Sequence, residues 1–223
     1  MLINADFSRR VSVTPQQYEW VSSPQRGVER VMLDRVGGEQ ARATSIVRYA
    51  PDSCFPRHQH PRGEELLVLS GTFSEDGTHY PAGWYLRSPP GSGHQPSSRE
   101  GCIIFVKLQQ MQPSEQRIVR IDTQVASAWH RHGDGEICPL FSDETEQVSL
   151  RRLVPAEALF VDPAKGAEFL VLAGIVMVDG QRYEGGSWMR VPLGQSPQIA
   201  ADKTHGATLY LKTGHLAGMP AGG

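Results

Sequence analysis

The sequence predicts an all-β protein made of two tandem copies of one barrel-like unit. Three observations lead there. Apolar runs of 5–8 residues, rich in Val, Ile, Leu, Phe and Tyr, recur between turns that carry Gly or Pro, the pattern of antiparallel strands. The 23 Gly and 16 Pro among 223 residues suit short strands better than long helices. The runs also repeat in order, so that GEELLVLSG at 63–71 aligns with GAEFLVLAG at 166–174.

The strand-like runs of the first copy are ATSIVRYAP (43–51), EELLVLSG (64–71), GWYLRSPPG (83–91) and GCIIFVKL (101–108). Those of the second are QVSLRRLVP (147–155), EFLVLAG (168–174), GSWMRVPLG (186–194) and ATLYLKTG (207–214). Each is bounded by turn formers, and none sustains a helical period for three turns. TPQQYEWV, at 14–21, offers at most one short helical turn. A single ungapped shift of 103 also places Gly77 on Gly180, Tyr80 on Tyr183, Gly83 on Gly186, Arg87 on Arg190, Pro89 on Pro192 and Gly91 on Gly194. A slip of two then lays IIFVKL on TLYLKT, and residues 18–35 match 127–144 loosely. The polar stretch LQQMQPSEQR (108–117) reads as a linker. The expected domains are 1–110 and 111–223.

Composition excludes several classes of function. A net charge of −2, with acids and bases mixed along the chain, leaves no basic stripe for nucleic acid. The longest apolar run, FLVLAGIVMV at 169–178, is about half a membrane span, and no leader peptide is expected in MLINADFSRRVSV. Three cysteines, Cys54, Cys102 and Cys138, form no CxxC pair. That argues for a reducing compartment, and a cytoplasmic location is expected. Cys54 and Cys102 read as small buried hydrophobes.

The repeat separates residues that serve the fold from residues that serve chemistry. Glu65, Tyr80 and Arg87 have counterparts in Glu168, Tyr183 and Arg190, and are assigned to the fold, with a place in the pocket wall as the alternative for Arg87, whose strand leads into His94. Four others stand in one copy alone: His58, His60, Glu64 and His94 face Val161, Pro163, Ala167 and Pro197. Residues two apart on a strand point the same way, so His58 and His60 converge. The PRG turn returns the chain so that Glu64 lies beside them, and His94 arrives after the PPGSG turn. Three imidazoles and a carboxylate suit a divalent transition metal. The second copy, lacking all four, is expected to bind none and to serve packing. His79, His205 and His215 read as turn or surface histidines. His130 and His132 form a second His-x-His, but no glutamate follows at the required spacing.

These motifs resemble the cupin superfamily. Its first motif appears as His58, His60, Glu64 and Gly71, and its second as Gly83, Pro89, Gly91 and His94, with Ser98 where asparagine is usual and Asp52 where glycine is usual. Within that superfamily, residues 58–108 resemble the C-terminal cupin domain of the anti-sigma factor ChrR. The resemblance implies a bicupin of two jelly rolls, with His58, His60, Glu64 and His94 holding one divalent metal. Zinc is expected first, with iron, manganese or nickel as alternatives. ChrR proteins carry a further N-terminal zinc-containing domain that holds the sigma factor; this chain begins in cupin-like sequence, and sigma-factor binding is not expected. The implied function is a sensor or ligand-binding regulatory module. The alternative is a metal-dependent dioxygenase of diketone or hydroxyacetophenone type, the same branch also resembling such enzymes. Other expectations are a small-molecule ligand and a homodimer, with neither nucleic acid nor membrane as partner.

Overall fold

The computed structural model describes residues 1–38, 40–217 and 219. The described residues are organised as antiparallel strands with two single 3₁₀ turns, at Pro15–Gln17 and Ala126–Ala128. No helix among them is long and apolar enough to cross a membrane. The chain divides into two units: Met1–Ala5 with Glu19–Gln124, and Asp6–Tyr18 with Val125–Gly223.

In the first unit the main sheet runs Leu2–Ile3, Val28–Val36, Arg42–Tyr49, Cys102–Leu108, Glu64–Glu75, Trp84–Ser88 and Val119–Asp122. In the second it runs His130–His132, Gly135–Ser142, Gln147–Leu153, Ala207–Thr213, Ala167–Val178, Trp188–Val191 and Val11–Val13. From the second strand onward the two orders correspond. The edge strand His130–His132 matches Val21–Ser22, which pairs with the start of Val28–Val36, and not Leu2–Ile3, which pairs with its end. Both long central strands are buried on both faces over their first five residues, Glu64–Val68 and Ala167–Val171, and then emerge in the same order. Alternating apolar side chains close over one interior per unit.

The units divide differently from the expected 1–110 and 111–223. Val119–Asp122 pairs with Trp84–Ser88, with Arg87 opposite Val119, and completes the first unit. Val11–Val13 pairs with Trp188–Val191, with Arg190 opposite Val11, and completes the second. Each unit thus takes its last strand from the residues that precede the other copy. The stretch read as a linker packs as well: Met111 is buried and would collide with a Cβ at Gly63. Polar composition hid this because the strand is only four residues long and half-buried.

The repeat reaches down to single atoms. Gly71 (φ +67°) lies so close to its neighbour strand that a Cβ would stand 2.0 Å from the Gly101 carbonyl. Gly174 (φ +76°) meets the Gly206 carbonyl at the same 2.0 Å. Each lies two residues beyond the point, Leu69 or Leu172, where the strand pairing slips by one, and its positive φ and close approach leave room for glycine alone. Arg48 stacks on Trp20 at 4.2 Å, and Arg152 on Trp129 at 3.7 Å, so the looser upstream match also holds in space.

Candidate metal centre

Three short elements of the first unit carry the four one-copy residues. His58–His60 forms a strand that pairs with Ser92–His94, which sets His94 directly opposite His58. A turn closed by the Gly63 amide donating to the His60 carbonyl (3.1 Å) leads into Glu64, the first residue of the long central strand. Gly63 adopts φ +77°, so the sharp return depends on a residue without Cβ.

The side chains converge. The ligand atoms of His58, His60 and His94 all lie within 4.8 Å of one another. The three rings stand 4.8–5.0 Å apart, centroid to centroid, at steep mutual angles. His60 Nε2 and His94 Nε2 are 3.1 Å apart. Glu64 Oε2 lies 3.6 Å from His60 Nε2 and 3.5 Å from His94 Nε2. His60, Glu64 and His94 are buried, and His58 is half-buried.

The orientation of two rings is set from behind. His58 Nδ1 lies 2.9 Å from the Pro56 carbonyl, which only accepts, so this nitrogen carries the proton and Nε2 keeps its lone pair. His94 Nδ1 lies 2.5 Å from Glu75 Oε2 and donates to that carboxylate. Glu75 is held in turn by Arg120 Nη2 at 2.7 Å, while Arg120 Nη1 donates to the Arg87 carbonyl at 2.8 Å. Burial opposes ionisation of Glu75, but the His94 hydrogen bond and the Arg120 charge outweigh it and lower its pKa. Burial alone would lower the His94 pKa, whereas the Glu75 hydrogen bond and the Glu64 charge raise it. For His60 burial prevails over the Glu64 charge and lowers the pKa, which keeps the ring neutral and able to donate a lone pair.

This donor set fits a divalent metal. Two ring nitrogens bound to one ion at about 2.0–2.1 Å stand roughly 3.0–3.4 Å apart, close to the His60–His94 spacing of 3.1 Å. The two nitrogens face each other at hydrogen-bond distance, so an ion bound there would take the place of any proton shared between them. Imidazoles oriented by a carbonyl and by a carboxylate are the usual outer support of a metal site.

Sequence reading missed Glu75 and Arg120. Glu75 ends the same strand that Glu64 begins, but it belongs to no short motif. Arg120 arrives on the strand that composition assigned to the other side of the domain boundary. Replacing Glu75 by Gln keeps the shape, removes the charge and should weaken metal binding by about 10–100-fold. Competition titration against a chromophoric chelator reads this directly, and unchanged affinity would remove Glu75 from the site.

The other histidines and the cysteines are accounted for. His130 and His132 lie exposed on one strand, without a converging carboxylate among the described residues. His79 meets Ser74 Oγ at 2.8 Å, and His205 is exposed. His215 departs from the expectation of a surface histidine, since its side chain is 2% exposed and its Nε2 lies 3.1 Å from Glu168 Oε2. Cys102 and Cys138 are buried, and burial pushes both thiols up to about 11. Cys54, expected to be buried, is exposed because it ends a two-residue strand at the rim.

In the second unit Val161 and Ala167 belong to an apolar core with Phe169, Val191 and Leu209. Hydrocarbon fills the space that polar ligands take in the first unit.

Residues 8–112 match the family of ChrR cupin-like domains. Among solved structures, a candidate dioxygenase from Nostoc punctiforme is similar over 96% of this chain and 85% of its own, with a TM-score of 0.77 and 14% identity. The bacterial pirin YhhW from Escherichia coli, in complex with nickel(II), is similar over 92% of this chain and 98% of its own (TM-score 0.66, 15% identity). A cupin 2 conserved barrel protein from Leptotrichia buccalis is similar over 86% and 91% (TM-score 0.59, 13% identity). At such identities the likeness is one of fold. No curated protein matches the chain in sequence.

Proposed function

We propose that this chain, a cupin protein with a ChrR-like domain over residues 8–112, is a metal-dependent ligand-binding module that serves as a sensor or regulator. His58, His60, Glu64 and His94 hold one divalent ion, zinc first among the candidates. The observation that carries the reading is the convergence of these four groups, with the outer nitrogens of His58 and His94 already committed to Pro56 and Glu75. Among the described residues the second unit offers no equivalent donors, which supports one ion per chain.

A second reading is favoured by one observation. A cavity of about 190 Å³ opens onto His58, His60 and Glu64, with apolar walls at Val47, Ile104 and Val106. That space suits a small organic molecule beside the ion, as a metal-dependent dioxygenase of diketone or hydroxyacetophenone type would need. The ion would supply Lewis-acid polarisation of a bound oxygen atom. The residues of the chain would do the rest: His58, His60 and His94 hold position, Glu64 offsets charge, and the apolar wall excludes water.

Elemental analysis of the purified chain separates these readings. Zinc at about one per chain, with no oxygen uptake on small diketones, is the expected result for the module. Iron, manganese or nickel with substrate-dependent oxygen uptake would establish the enzyme. Absence of any bound divalent ion would overturn both.

A further inference from the structure

A cation, Arg30, lines the cavity beside the metal donors. Arg30 lies on Val28–Val36 and pairs across the strands with Val47, which pairs in turn with Ile104. Val28 and Ile104 belong to the apolar interior of this unit, and Val47 packs against it. Directly opposed residues project to the same side of a sheet, so Arg30 points into the barrel, at a position where its row is otherwise hydrocarbon. It lines the same cavity as His58, His60 and Glu64.

Arg30 is half-buried, so its guanidinium keeps some contact with water while standing in the wall of this cavity. Its Nε is buried and lacks a hydrogen-bond partner. Among the described residues, no carboxylate lies within ion-pair distance of it. The fully buried Arg87 and Lys107 are held by protein groups instead: Arg87 pairs with Glu65 at 2.8 Å, and Lys107 donates to Thr44 at 2.9 Å. Among the described residues Glu64 supplies the one carboxylate of the cavity wall, and a bound divalent ion would engage it. Three neutral imidazoles, one carboxylate and a divalent ion then carry a net charge of about +1, to which Arg30 adds another.

We infer that Arg30 is an anion-recognition residue and that the ligand of this cavity is a small monocarboxylate with an apolar body. Its carboxylate pairs with the Arg30 guanidinium, and its hydrocarbon lies against Val47, Ile104 and Val106. The volume of about 190 Å³ is below that of drug-sized pockets and limits the ligand to a small molecule. A planar, two-pronged donor selects a planar, two-oxygen acceptor. The inference deepens the ligand-binding reading above and rests on it for the identity of the site.

The test is calorimetric titration of the full chain with C4–C8 monocarboxylates, benzoate and hexanoate among them, each paired with its neutral amide. Metal content is measured on the same samples. At least one acid is expected to bind roughly tenfold or more tightly than its amide. Arg30→Met should bring acid and amide to the same affinity, Arg30→Lys should keep part of the preference, and metal content should not change in either. Equal binding of every acid and its amide, no binding of any acid, or an undiminished preference in Arg30→Met would each overturn the inference. Those results with metal present strike the inference alone; a metal-free chain that keeps an Arg30-dependent preference strikes the metal reading alone.

Discussion

A chain carrying both His60→Ala and His94→Ala is expected to lose tight divalent-metal binding while its second unit stays folded. The two rings are buried, with their Nε2 atoms 3.1 Å apart and Glu64 within 3.6 Å of both. Structural zinc sites with four protein ligands bind with roughly 10–16 kcal/mol, so losing half the donors should cost about 5 kcal/mol or more, over a thousandfold in affinity. The core of the second unit is built from its own residues, from Leu153 and Phe169 to Leu211, and none of them changes. Metal titration checks the first part, and near-ultraviolet circular dichroism at Trp129 and Trp188 checks the second. Retained affinity would contradict the ligand assignment. In the parent chain affinity should fall with acidification: a raised His94 pKa means that protons compete at a higher pH there than at an ordinary imidazole.

Replacing Glu65 by Ala should destabilise the first unit by about 3–5 kcal/mol, the usual effect of stranding one member of a buried ion pair. Arg87 is 1% exposed and sits 2.8 Å from the Glu65 carboxylate. Glu65 follows the proposed ligand Glu64, but on a strand it projects to the opposite face, so the loss should not depend on metal. Replacing the pair together, Glu65→Leu with Arg87→Met, should recover much of the stability, since hydrophobic replacements of buried pairs are often neutral. Urea denaturation of the singles and the double gives the coupling energy. A double variant as unstable as the sum of the singles would show that the two charges act independently.

Both expectations were legible in the sequence because the chain carries its own control. The shift of 103 kept Glu65 and Arg87 but lost His58, His60, Glu64 and His94, and in space the kept pair is a buried ion bridge while the lost set converges. Local motifs sufficed there, because β-strand alternation and a tight turn fix directions within a few residues. Longer-range facts were not legible. Val11–Val13 and Val119–Asp122 each complete the other copy's sheet, and nothing in three or four residues encodes the partner strand. Arg120 therefore reaches Glu75 across a boundary drawn from composition, and the support behind His94 stayed out of sight. Arg30 escaped for a related reason. It reads as one charge on an amphipathic strand, and only the register against Val47 and Ile104 turns it inward.

The most direct test of the metal assignment is an anomalous difference map from crystals soaked in zinc, collected on both sides of the metal absorption edge. One strong peak per chain, bounded by His58, His60, Glu64 and His94, is the predicted result. A peak at His130 and His132, or none in the first unit, would contradict it.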